Sequence, residues 1–491
     1  MLSHLAEKDE VGMESVYKSI ATLKWKNITV RNVHCNIYID DNSLDFIKAE
    51  LKIDEGIFQK VGDAFKIQFK AKSGNVSFFS KDTYLVHLNS KLLKTGQTEF
   101  HATLEIHDLL MFKPLNILNS NKHKSANNNT TFIFHLSDND KMPYFKQLMT
   151  CYDGTVKVVK NDSDEFVILS NTVKCRFDTY YEFENQKRTQ IVTAKKVCLI
   201  DAKLNDLCVS TIEKAIIKKV DDLLLLLSLY LRQRVTWIDF QYYIDNKVIT
   251  HYRRQYKKEF IEWGTSYIPQ LITGNIYNFL NVSFPVFIHS KYRNEIEKAI
   301  QSLCLNYGRK LTVEANFLSM FSVIEIIILK YRKLNNKEFI FTNRSEWDRV
   351  KKNLIRTLKQ VVQENEKEIL AIDKIGELRR YPLRQAYLSF CKKYNIRLEK
   401  LWEIFYQNNI DKPGLIDVRN CLIHDSSSDL SSILLYANYN LQYTIEIILL
   451  TILKWPLKYS DVNNESLCYV SQIRNLSEIK QIASRLLYKN N

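Results

Sequence analysis

The sequence predicts an α+β protein. It has an antiparallel, β-rich N-terminal domain (1–209), a mostly helical connector (210–309) and a C-terminal all-α helical bundle (310–491). Two observations lead to this expectation. Apolar residues recur with period two up to about residue 200, and with the helical period after about residue 210. A third observation limits function. Only 11 glycines and 7 prolines occur in 491 residues, and no GxGxxG or GxxxxGKS/T phosphate loop is present.

The strands come first. "FKIQFKAK" (65–72) sets Phe65, Ile67, Phe69 and Ala71 against Lys66, Gln68, Lys70 and Lys72. "VKCRFDTYYEF" (173–183) alternates in the same way. Each reads as a strand with one buried and one wet face. "NVSFF", "YLVHL", "TFIFHL" and "TVKVV" add shorter strands, and "NSNKHKSANNNTT" (119–131) reads as a polar surface loop. A sandwich or a curved sheet is expected. The helices follow, at 210–233, 311–333, 345–370, in "PLRQAYLSFCKKYNI" and "LEKLWEIFYQNN", at 415–424 and at 432–455.

Hydrophobic residues make up 45% and charged residues 25%, an ordinary soluble composition. The net charge of +15 favours polyanionic partners, nucleic acid before anionic membrane. "HYRRQYKKEF" (251–260) and "KYRK" (330–333) interleave Tyr with Arg and Lys, a mix that suits RNA. The alternative is a lysine-rich solvated surface. Nine cysteines lie singly, with no CxxC and no zinc spacing, which points to a reducing compartment. "LLLLLSLYL" is too short to span a bilayer, Glu325 interrupts "FLSMFSVIEIIIL", and the opening "MLSHLAEKDEVG" is polar. A cytoplasmic protein without a membrane partner is expected.

One short segment carries chemistry. In "LIDVRNCLIHDSSSD" (415–429) Pro413 and Gly414 precede, and Asp425 with three serines follows, which predicts a helix of about three turns. Leu415, Val418 and Leu422 form its apolar stripe, and Asp417, Asn420 and His424 form a second stripe flanked by Arg419. Composition alone yields an Arg-x4-His roughly 0.4 times in such a chain, so that pair is weak; the Asn after the Arg makes it rarer. Histidine titrates near neutrality, and Arg offers a permanent forked charge. With the 2′-OH of RNA as nucleophile, the two could cleave RNA without a metal. The competing reading is a capped helix with a surface His and a salt-bridged Arg, and spacing alone favours that one.

An R-N-x3-H helix near the C-terminus, followed by a long apolar helix, resembles a HEPN domain. "FSVIEIIIL" places Glu325 where relatives often carry a glutamate within an apolar run. The whole-chain layout is similar to ApeA-type anti-phage proteins. The resemblance implies a metal-independent endoribonuclease toxin, without cofactor, active as a homodimer in abortive infection. RNA, with tRNA as a candidate, would be the substrate, and a phage protein a candidate trigger sensed or restrained through the β domain. Arg419 would hold the scissile phosphate, His424 would be the general acid–base, and Asn420 would bind phosphate or orient His424. Glu325 and Asp417 would orient these groups. From the residues alone, a carboxylate on a mostly buried helix wants a cation, either Arg419 or His424, or else Glu325 snorkels or pairs with a lysine elsewhere. The alternative function is a non-catalytic HEPN-like module that binds RNA or protein in a defence or toxin system.

Overall fold

The computed structural model describes residues 14–40, 47–57, 66–92, 95, 98–114, 129–137, 141–150, 156–160, 165–186, 189–204, 209–244, 247–253, 271–307, 311–362, 365–405, 413–424, 430–458 and 475–487. The fold is α+β, an antiparallel N-terminal β region followed by a helical C-terminal region. The chain divides into two compact units, Met1–Leu224 with Val235–Phe260, and Leu225–Arg234 with Ile261–Asn491.

In the first unit, period-two segments become strands whose alternate side chains are buried. β1 (Glu14–Trp25), β2 (Ile28–Asp40), β3 (Ile47–Ile53), β4 (Lys66–Ser73), β5 (Val76–Leu92) and β6 (Thr98–Pro114) are long. Every pairing among them is antiparallel, in the ring β1–β2–β3–β6–β5–β4 and back to β1. The result is a closed six-stranded barrel. β4 shows the reason plainly: Ile67, Phe69 and Ala71 point inward and are buried, while Lys66, Gln68, Lys70 and Lys72 face outward. Leu23, Ile37, Leu51, Phe69, Phe78 and Leu104 are among the side chains that fill the interior. The register shifts in β1 at Ala21/Leu23, and in β5 between Phe79 and His87. Such bulges bend the strands and let the sheet close.

β6 joins the barrel to an open extension of the same 12-stranded sheet. One of its edges pairs with β5 along most of its length. The other edge pairs with β3 through Phe100–Ile106, and then with a late strand through Asp108–Pro114. β7 (Asn129–Leu136), β8 (Lys146–Thr150), β9 (Val156–Lys160), β10 (Val167–Ser170), β11 (Val173–Gln186), β12 (Thr189–Lys203), β13 (Trp237–Ile244) and β14 (Lys247–Arg253) complete the unit. The open extension runs β10-β11-β12-β7-β13-β14-β6, and β8 with β9 forms a separate hairpin. Phe134, Trp237 and Phe240 pack with ring centroids 4.7–5.7 Å apart. Arg253 lies 3.8 Å over the Trp237 ring and grips Asp221 with two bonds, and the Trp237 indole N–H donates to the same carboxylate at 2.8 Å.

The connector expected at 210–309 is not a body of its own. Its residues 237–244 and 247–253 are β13 and β14 of the sheet, and the division between the two units falls inside one of its helices. That helical run comprises α1 (Val209–Ile212), a π-helical stretch (Glu213–Ile217) and α2 (Lys218–Leu231). α2 ends at Arg232, which takes a left-handed φ of 49°.

The second unit is helical: α3 (Ile276–His289), α4 (Arg293–Tyr307), α5 (Val313–Leu334), α6 (Arg344–Val361), α7 (Asn365–Ile375), α8 (Leu383–Tyr394), α9 (Leu415–His424), α10 (Ser431–Ile452) and α11 (Leu476–Leu487). α5 is the hub, packing against α4, α8, α9 and α10. α10 is buried on nearly every side, which its apolar sequence requires. It also buries polar groups, and the one carboxylate among them is paired: Glu446 accepts from Arg232 at 2.6 Å and from Gln442 at 3.1 Å. Two expected helices differ. The segment 345–370 is two helices, because α6 stops where Val362 turns extended. "LEKLWEIFYQNN" is not helical in its described part, 398–405.

Candidate active site

α9 is held from its N-terminal end. Its backbone N–H groups at Leu415 and Ile416 donate to the carbonyls of Glu403 and Ile404, both at 2.9 Å. Trp402, 1% exposed, donates its indole N–H to the Pro413 carbonyl at 2.7 Å. The backbone N–H of Trp402 donates to Asn440 Oδ1 on α10 at 2.9 Å. The non-helical segment 401–404 therefore ties the start of α9 to α10. The apolar stripe of α9 turns inward: Leu415 and Val418 are fully buried and Leu422 is partly buried.

Asp417 belongs to this anchoring. Its Oδ2 accepts from the Gly414 backbone N–H at 2.8 Å, and the Asp417 N–H returns a bond to the Gly414 carbonyl at 3.1 Å. This is the carboxylate half of a capping box, satisfying an N-terminal donor that the helix leaves orphaned. Burial pushes the Asp417 carboxyl above its usual range, partly offset by the Gly414 hydrogen bond. The hydrogen bonds of Asp417 go to the helix terminus; among the described residues none reaches Arg419 or His424.

Arg419 is placed differently. Its Nη2 lies 3.8 Å from Glu325 Oε1 on α5, and its Nη1 donates to Asn420 Oδ1 at 3.1 Å. Both members of the ion pair are about three-tenths exposed, so water screens it and it adds within about 1 kcal/mol of stability. A guanidinium has five N–H donors. Two contacts leave others free for a ligand from solvent. His424, the last residue of α9, is exposed, as are Asn420 and Ile423. No hydrogen bond or ion pair engages the His424 ring among the described residues. Asp425 and the three serines after it lie outside the described residues.

The structure thus brings together Arg419, Asn420 and Glu325, places His424 one and a half turns further along the same helix, and puts Asp417 to work at the helix start. Along α5 the polar residues at three-residue spacing diverge, since each step falls 60° short of a full turn. Asn316 is buried and donates to the Leu311 carbonyl, Ser319 bonds Ser302, Ser322 is exposed and bonds its own helix, and Glu325 reaches Arg419.

No family model, curated protein or solved structure matches this chain. Among the described residues no group of three or more His, Cys, Asp or Glu is gathered in a way that could hold a metal ion, and no helix is long and apolar enough to cross a membrane. The residue that sequence reasoning missed is Trp402. Its lone indole in "KLWEIF" carries no functional pattern, and only the fold shows that it seats the helix.

Proposed function

We propose that this protein is a HEPN-type endoribonuclease that cleaves RNA without a metal ion, acts as a homodimer, and serves as a cytoplasmic abortive-infection effector against phage, with tRNA among its candidate targets. The observation that carries this reading is the placement of Arg419. It sits partly exposed, steadied by Glu325 and Asn420, on the helix that presents an exposed His424.

In this reading the remaining donors of Arg419 grip the scissile phosphate and stabilise the charge that builds on it. His424 removes the proton from the 2′-OH, and an imidazole returns a proton to the departing 5′-oxygen. The oxygen–phosphorus bond to the 5′-oxygen breaks as the 2′-oxygen bonds phosphorus, giving a 2′,3′-cyclic phosphate and a 5′-OH. Arg419 and His424 lie about 140° apart around an ideal helix, so one copy supplies the pair poorly and two facing copies supply it well. The rim supports such a contact: Ile423 beside His424, and Leu329 one turn after Glu325, are 47% and 49% exposed.

The test is incubation with total cellular RNA in EDTA, with the cut ends mapped and the protein's mass followed by light scattering. Cleavage leaving cyclic phosphate ends, from a dimer, is expected; 2′-O-methylated RNA should resist. Cutting that stops in EDTA and returns with Mg²⁺ would overturn the mechanism. Retention of RNA or of a phage protein with no cleavage would favour a non-catalytic HEPN-like module.

A further inference from the structure

We infer that the outer face of the β-barrel, across β1, β4, β5 and β6, is a binding surface for single-stranded nucleic acid, built from lysines around a phenylalanine platform. The registers line up its residues in two rows. Ile20 on β1 lies opposite Lys72 on β4, Lys72 opposite Ser77 on β5, and Ser77 opposite Phe112 on β6. In the next row Thr22 lies opposite Lys70, Lys70 opposite Phe79, and Phe79 opposite Leu110. All eight alternate with inward residues of the barrel, and they line one shallow open groove. Neighbouring strands lie about 4.8 Å apart, so the band is roughly 15 Å wide.

The chemistry of the band selects the ligand. Lys70 and Lys81 hold their ammonium groups 5.4 and 5.9 Å from the centroid of the Phe79 ring. Lys70, Lys72 and Lys81 are exposed, and none makes an ion pair among the described residues. The adjacent acids are occupied: Asp82 pairs with Lys66 at 2.6 Å, and Asp108 pairs with His251. What remains is uncompensated positive charge around an aromatic face, beside an Ile20 left 51% exposed. A polyanion satisfies the lysines; only a polyanion with flat apolar rings also uses Phe79 and Ile20. Bases stack on such a face whatever their sequence, while the cations track the backbone. A duplex hides those base faces, so the single strand is the occupant.

This inference stands apart from Arg419 and His424, and its test separates the two. The full chain is titrated against a fluorescent 2′-O-methyl oligouridine, which the proposed chemistry cannot cut, and anisotropy is read across salt concentrations. Wild type should prefer this strand to the same sequence in a duplex. Lys70→Glu/Lys72→Glu should weaken binding at least tenfold, and Lys70→Ala/Lys72→Ala should lower the slope of log affinity against log salt by about 1.4. Phe79→Leu keeps the bulk but removes the π face, and should weaken binding roughly tenfold with the salt slope unchanged. Thermal melts confirm that each variant folds. Unchanged affinity in the lysine variants, or equal competition by poly-glutamate at matched charge, overturns the proposal, whether or not the protein cleaves RNA.

Discussion

Removing the imidazole of His424 and the guanidinium of Arg419 separates chemistry from folding. His424 is exposed at a helix end, and among the described residues Arg419 shares only a screened ion pair and one hydrogen bond. His424→Ala and Arg419→Ala should therefore leave the melting temperature nearly unchanged while cleavage falls by 10² or more. Near-wild-type cleavage by either variant would remove that residue from the mechanism. Cys421→Ser should matter much less, since no role is assigned to Cys421. Asp417 predicts a pH effect of definite sign. Burial raises its carboxyl above the ordinary 3.8, so over that interval the folded state holds more protons than the unfolded state. Its contribution is present below 3.8 and is lost as pH rises through the raised value. Asp417→Asn keeps an oxygen for the Gly414 N–H and has no such titration. Relative to wild type, the variant should gain stability as pH rises through that window, read as the difference between two denaturation series. A pH-independent difference would deny the burial effect.

At the scale of elements, the seating of α9 depends on Trp402. Trp402→Phe retains a ring in the core but leaves the buried Pro413 carbonyl without its donor, a cost of about 1–3 kcal/mol. Cleavage should fall beyond what partial unfolding explains, because the helix that carries Arg419 and His424 loses its tether. Normal stability in chemical denaturation would remove Trp402 from this role. The elements also show what could be read in the sequence. β4 and β11 were legible because one face of each is wet and one is dry. β13 and β14 were not: in "WIDFQYYI" and "KVITHYR" apolar or aromatic groups sit on both faces, as burial in the middle of a large sheet demands. Glu325 is legible as a carboxylate in an apolar run, but its partner is not: the sequence leaves a lysine as open as Arg419, and the fold brings Arg419 to 3.8 Å. For Asp417 the i, i+3 spacing to Asn420 reads as part of a functional stripe, while a carboxylate three residues after a helix cap also has a nearer task, the Gly414 N–H. "LEKLWEIFYQNN" has helical spacing, yet its described part gives up the helix to bond α9 and α10.

At the scale of the whole molecule, barrel closure rests on pairings that no local pattern encodes, above all β1 with β4. The strands that link the barrel's β6 to the rest of the sheet arrive late in sequence, as β13 pairs β7 and β14 pairs β6. A fragment ending at residue 209 therefore leaves two strand edges open, and should aggregate or lack cooperative melting. A fragment ending at residue 260 restores both strands and should be soluble and folded by comparison. Equal behaviour of the two would mean that β13 and β14 are dispensable.

The divided edge of β6 also sets a schedule for synthesis. β1 to β6 are consecutive, so the barrel can close as soon as residue 114 has left the ribosome. Yet Lys113 waits for Val248 before its outer edge is paired. At about 5–20 residues per second that interval is on the order of ten seconds. Throughout it, each nascent chain on a polysome carries the same bare half-strand, so codon speed and chaperone supply between residues 114 and 253 should govern how much of this protein a cell recovers folded.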